Sequence, residues 1–150
     1  MNEITAPTRT EMIRLLNEDL AREYQAIIAY IVYSQTMTGA KYQHIAGELK
    51  LHAAEELAHA LTIAKQIDYL NGTPLTVPLA VKQSDSAEDM LRFDLENERV
   101  TIGHYRQRIR QAEAMGEYAL SEELREIIVQ EQEHLTDLAD ALGIDTPEIG

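Results

Sequence analysis

The sequence predicts an all-α fold, an antiparallel four-helix bundle with one long crossover between its second and third helices. Three observations carry that expectation. Apolar residues recur at helical spacing in four stretches, each followed by a glycine. One proline-containing segment, Thr73 to Ser84, is the only long connection between them. Finally, a set of Glu and His residues lies on the apolar stripes and repeats at a constant offset of 75 residues.

The first helix opens at Thr8, which with Glu11 makes a capping box, and carries Met12, Leu16, Leu20, Ile27 and Ile31 on one stripe before Gly39 stops it. A second helix begins near Tyr42, with Ile45, Leu49, Ile63, Ile67 and Leu70 facing inward, and ends at Asn71-Gly72. Pro74 and Pro78 keep the next segment from continuing as helix. About twelve extended residues span roughly 40 Å, nearly the length of a 29-residue helix, so this segment is expected to run along the bundle. A second capping box, Asp85 with Glu88, starts the third helix, whose stripe is Leu91, Leu95, Ile102 and Ile109, up to the region of Gly116. The fourth carries Leu120, Leu124, Ile127 and Leu138, ends at Gly143, and is barred from continuing by Pro147. Two hairpins joined by one crossover make a four-helix bundle of the ferritin-like kind, read as a single domain over residues 1–150.

Composition narrows the chemistry. The chain has no cysteine, which excludes iron–sulfur clusters, thiolate zinc sites and a rubredoxin-type iron site, and suits a reducing compartment. Its net charge of −13 argues against binding a nucleic-acid backbone and in favour of metal cations as partners. No apolar run approaches the ~18 residues of a membrane span, and the N-terminus Met-Asn-Glu-Ile-Thr-Ala-Pro lacks the basic and apolar regions of a leader. A cytoplasmic protein is expected.

The polar residues on the stripes point to a metal pocket. Glu56-Leu-Ala-His59 and Glu131-Gln-Glu-His134 place a glutamate and a histidine on one helical face, and Glu23 and Glu98 stand 33 residues before the two pairs. All six fall on inward positions. Four carboxylates in one core would each cost several kcal/mol and would repel one another unless neutralised. Two divalent ions carry the four positive charges required, with both imidazoles neutral. A Glu on two helices and Glu-x-x-His on the other two is the arrangement of ferritin-like di-iron and di-manganese carboxylate bundles.

The same offset pairs further residues. Tyr30 and Tyr105 each follow a lone glutamate by seven positions, and Asp19 and Asp94 each precede one by four. The phenols are candidates to hydrogen-bond a ligand or supply an electron, hence candidate catalytic residues. The aspartates are candidates to receive the outer N–H of a ligating histidine. His52, one turn before Glu56, is a further candidate beside the site; His44 and His104 lie off the stripes and read as surface residues.

Four segments carry a family resemblance: Glu23-Tyr-Gln-Ala-Ile-Ile-Ala-Tyr30, the Glu56-x-x-His59 helix, Met90-Leu-Arg-Phe-Asp-Leu-Glu-Asn-Glu98 and Ile128-Val-Gln-Glu131-Gln-Glu-His134. They resemble the four helix cores of bacterioferritin, and the likeness runs from about Leu15 to Ile144. It implies that Glu23, Glu56, His59, Glu98, Glu131 and His134 are di-iron ligands, with Glu56 and Glu131 bridging, and that Tyr30 adjoins a ferroxidase centre. Leu57 stands where the family has its haem-ligating methionine, so no haem is expected. Leu51 and Glu55 replace the His and Asp of the family's inner-surface iron site, which argues against that site. The chain stops at Gly150, leaving no room for the short fifth helix of the 24-subunit shells.

Ligand set and resemblance together lead to an expected function. The chain should be a ferroxidase for iron storage and detoxification, holding two Fe ions per chain, with Mn as the alternative metal. It would oxidise Fe(II) with O2 or H2O2 and pass Fe(III) to a homo-oligomeric cage of 12 or 24 subunits, or work as a dimer. The competing enzyme is a peroxide-detoxifying di-metal protein akin to rubrerythrin or manganese catalase.

Overall fold

The computed structural model describes residues 5–150. Met1 to Ile4, part of the segment read for a leader, lie outside the described residues. Among the described residues are four α-helices, α1 (Arg9–Thr36), α2 (Gln43–Tyr69), α3 (Ala87–Ala114) and α4 (Tyr118–Leu142). A single 3-10 turn, Ala40–Tyr42, leads into α2. Among the described residues no helix is long and apolar enough to cross a membrane.

Cross-bundle partners give the topology. Along α1 and α3, Asp19 meets Arg108, Glu23 meets Tyr105 and Tyr30 meets Glu98, so these two helices are antiparallel. Along α2 and α4, His52 meets Asp137 and His59 meets Gln130, another antiparallel pair. The main packing is α1 on α2 and α3 on α4. With α1–α2 and α3–α4 as hairpins, α2 and α3 must run in the same direction. A parallel pair needs a connection that travels the bundle, and the segment after Tyr69 supplies it.

That crossover is laid along α1. Asn17 clasps Thr73 O and Leu75 N, Tyr24 donates to Leu75 O, Leu79 N donates to Ala21 O, and Gln25 donates to Ala80 O. The last contact is the Tyr33 hydroxyl on Lys82 O. The backbone groups of an extended chain thus find partners on a helix flank instead of in a sheet. Gly72 starts the segment where a Cβ would meet the Ile13 side chain at 2.5 Å, so only glycine lets the chain leave α2 this close to α1.

The ends of the helices follow the sequence signals with one change. Thr8 caps α1, accepting from Glu11 N at 3.1 Å. Gly143 closes α4 in the left-handed conformation. The cap of α3 is Ser86, which accepts from Asp89 N, in place of the expected Asp85 with Glu88. Ser84 decides between the two registers: its hydroxyl donates to Asp89 Oδ2 at 2.9 Å and receives Ser86 N.

Burial places the core in two parts. One apolar cluster contains Met12, Leu16, Leu20, Ile63, Ile67, Leu120 and Leu124; the other contains Leu49, Leu91, Leu95, Leu135 and Leu138. Between them lies a layer of buried polar side chains. Ile31, expected on the inward stripe, is 51% exposed; Tyr30 and Tyr33 take the inward positions of that turn.

Candidate metal centre

Each of the six residues read as ligands is buried to 3% exposure or less. α1 and α3 contribute Glu23 and Glu98 from their middle turns, and α2 and α4 contribute the Glu-x-x-His pairs. They converge as two groups whose donor atoms lie within 4.8 Å of one another: Glu23, Glu56, His59 and Glu131, and Glu56, Glu98, Glu131 and His134. Glu56 and Glu131 belong to both.

Both imidazoles turn Nδ1 towards the carboxylates. His59 Nδ1 is 3.0 Å from Glu131 Oε1, 3.3 Å from Glu56 Oε1 and 3.6 Å from Glu23 Oε2. His134 Nδ1 is 3.1 Å from Glu56 Oε1 and 3.5 Å from Glu98 Oε1. These separations are attractive, but the groups are not aligned as hydrogen bonds. Glu23 Oε2, Glu56 Oε1, Glu98 Oε2, both Glu131 oxygens and both Nδ1 atoms have no hydrogen-bond partner. An orphaned buried polar atom costs about 1–3 kcal/mol, more when charged. Seven in one layer are donor positions that a bound cation would satisfy, and carboxylate with imidazole is a donor set that Fe and Mn accept.

Electrostatics agrees. Burial, then repulsion from Glu23 and Glu98, pushes Glu56 well above the usual carboxylate range. Burial and then Glu56 do the same to Glu131. Glu98 goes the other way: burial would raise it, but His134 at its oxygen, with help from Glu131 and Tyr30, holds it low. Burial alone would lower the two histidines, yet Glu131 and Glu23 carry His59 up to about 10, and Glu98 carries His134 up to about 9. Burial and the crowding of carboxylates thus shift Glu56 and Glu131 towards their protonated forms, and carboxylate neighbours outweigh burial to do the same for both histidines, whereas Glu98 is not so shifted.

Around the layer, two phenols reach lone glutamates and two aspartates reach no histidine. The Tyr30 hydroxyl donates to Glu98 Oε1 at 2.6 Å, and the Tyr105 hydroxyl donates to Glu23 Oε1. Each phenol therefore holds the glutamate of the opposite helix instead of the one that precedes it in sequence. Asp19 and Asp94 are both buried, but neither receives a histidine N–H. Asp19 is occupied by Arg108, which donates through Nε at 2.7 Å and a terminal nitrogen at 3.1 Å, and by Arg22. The outer nitrogen of His59, Nε2, faces Gln130 Oε1 instead. Asp94 Oδ2 has no partner, and burial followed by Glu98 raises its pKa.

His52 is buried, stacks on His134 with ring centroids 4.0 Å apart, and faces Asp137 Oδ2 through Nε2 at 3.1 Å. His44 is exposed; His104 is partly buried, with its pKa lowered by burial and then by Arg22. Sequence reasoning missed Arg108, Gln130 and Asp137. Arg108 follows Tyr105 by three residues on the inward stripe of α3, so its position carried a signal. Gln130 and Asp137 depend on how two imidazole rings turn, which no spacing specifies.

A one-crossover bundle with a mid-height layer of four glutamates and two histidines has the design of the carboxylate di-metal bundles. The chain belongs to the ferritin family: its sequence matches the ferritin-like domain over residues 13–145. It is 29% identical over 129 residues to a bacterioferritin from Desulfovibrio desulfuricans, covering 85% of this chain and 72% of that one. Among solved structures, a ferritin-like di-iron-carboxylate protein from Bacillus anthracis superposes with a TM-score of 0.86 at 36% identity, over 89% of this chain and 96% of that one. A dodecameric thioferritin from Bacteroides fragilis, described as bacterioferritin-related, gives 0.84 at 26% identity, over 91% and 86%.

Proposed function

We propose that the chain is a ferroxidase that takes Fe(II) as substrate, oxidises it with O2 or H2O2 at the buried layer, and delivers Fe(III) to a homo-oligomeric cage. The observation that carries this reading is the pair of donor groups sharing Glu56 and Glu131, which would hold two ions side by side. Bound iron supplies one electron per ion, so two together meet the two-electron demand of O2 going to H2O2, or of H2O2 going to water.

The protein's own residues fix the conditions. Glu23 and His59 would hold one ion, Glu98 and His134 the other, with Glu56 and Glu131 common to both. Tyr105 and Tyr30 restrain the two lone glutamates through their hydroxyls. Gln130 orients the His59 ring by accepting at Nε2, which leaves Nδ1 for the layer. An acidic hollow of about 450 Å³, lined by His59, Thr62, Glu123, Glu126, Gln130 and Glu133, gives cations a route to the His59 side between α2 and α4.

Membership of the ferritin family and the likeness to a bacterioferritin and to a dodecameric relative support storage in a shell. Stopped-flow absorbance after adding Fe(II) tests the activity. The parent should show rapid Fe(III) formation, and Glu56→Ala and His134→Ala should lose it; equal rates in parent and variants would sink the reading. A peroxide-turnover assay with metal analysis distinguishes the competing peroxide-detoxifying enzyme.

A further inference from the structure

A third group of donors lies outside the layer. One ligand atom from each of Glu48, His52 and Asp137 falls within 4.8 Å of the others. Glu48 and His52 are one turn apart on α2, and Asp137 is one turn beyond His134 on α4. His52 is 2% exposed, and its Nδ1 has no hydrogen-bond partner, so the imidazole is not a fully satisfied core histidine. Glu48 forms no ion pair among the described residues. The 3.1 Å between His52 Nε2 and Asp137 Oδ2 is also the spacing of neighbouring ligand atoms around an ion with bonds of about 2.1 Å.

We propose that Glu48, His52 and Asp137 form a separate divalent-cation site, an outer station from which ions pass to the buried layer. Two carboxylates and a neutral imidazole balance a 2+ charge, and as hard to borderline donors they suit Fe(II), Mn(II) or Zn(II). Three protein ligands leave coordination positions for water, as an exchangeable site requires. The group opens to solvent through a hollow of about 290 Å³ that Glu48 and Asp137 line together with Lys41 and Asp140. On its inner side the His52 ring stacks on His134 with centroids 4.0 Å apart, so the outer group adjoins a residue of the layer. The transfer role rests on the layer being a metal site; the binding site itself does not.

Crystals of the full chain grown with Mn(II), with data collected at the manganese edge, test both readings separately. Anomalous density is expected among Glu48, His52 and Asp137 as well as in the layer. The double variant Glu48→Gln, Asp137→Asn, altered only at partly exposed positions, should lose the outer density and keep the inner. Equilibrium dialysis should then show one Mn(II) fewer per chain. Inner density with none outside in the parent overturns the outer site alone, as does outer density or unchanged stoichiometry in the double variant. Outer density with none inside upholds it and overturns the ferroxidase reading. No density at either place overturns both.

Discussion

The Tyr30 hydroxyl on α1 donates to Glu98 on α3 at 2.6 Å, across the bundle from the glutamate that shares its own helix. The Tyr105 hydroxyl makes the reciprocal bond to Glu23. The layer is thereby cross-laced, each of the two helices that carry a lone glutamate holding the other's in place.

Removing either phenol therefore acts on the far helix. Tyr30→Phe and Tyr105→Phe each leave a buried carboxylate oxygen without its donor, at a cost of about 1–3 kcal/mol in urea unfolding. If both phenols only position a glutamate, the two variants should slow Fe(II) oxidation to similar extents. A loss confined to Tyr30→Phe would identify that ring as an electron source.

Binding of a cation to the layer should stabilise the fold. At a free Mn(II) concentration 100 times Kd the gain is about 2.7 kcal/mol, or roughly 5–10 °C in Tm for a chain of this size. Calorimetry with and without Mn(II) measures it, and Glu131→Ala should abolish most of the shift. A bundle with merely polar core positions would show no shift that Glu131→Ala removes.

Arg108 and Asp19 form a buried ion pair with both partners at 2% exposure or less. Arg108→Met leaves Asp19 with Arg22 alone and should cost about 3–5 kcal/mol. Replacing both, Arg108→Met with Asp19→Leu, should recover most of that loss. Urea midpoints of the single and double variants decide the point.

Alkaline pH should weaken the fold through its buried phenols. Burial, then the charge of Asp94, pushes Tyr33 up to about 12. Burial, then Glu98 or Glu23, pushes Tyr30 and Tyr105 well above 10. Because the folded values exceed the unfolded value near 10, this stability is complete below pH 10 and is lost as pH rises through the folded values. The urea midpoint should hold to about pH 10 and fall from there towards about pH 12, less steeply in Tyr33→Phe.

Much of this was legible in the sequence because charged residues on a helical apolar stripe have few explanations. Glu23, Glu56, Glu98 and Glu131 stood out for that reason, and a proline-bearing segment of fixed length between two hairpins left little choice of topology. The misses share a physical cause. Asp85 and Ser86 both begin acceptable capping boxes, and only the Ser84–Asp89 hydrogen bond selects the second. Asp19 and Asp94 were placed correctly inside, but their partners depend on which side chain reaches them first across the bundle. Arg108, long and carrying several donors, captures Asp19; the residue 75 positions before it is Tyr33, which leaves Asp94 without an arginine. The repeat that reveals the site does not extend to its counter-charges.

The polar layer also separates the apolar clusters at the two ends of the bundle. Most helical bundles are firmest at mid-height and fray at their tips. Here the waist is held by cross-bundle hydrogen bonds and ion pairs among crowded carboxylates, while each end is closed by its own leucines and isoleucines. A cation bound at this waist would tie all four helices at one height, and hydrogen exchange of the mid-helix amides with and without Mn(II) should show it as slower exchange there.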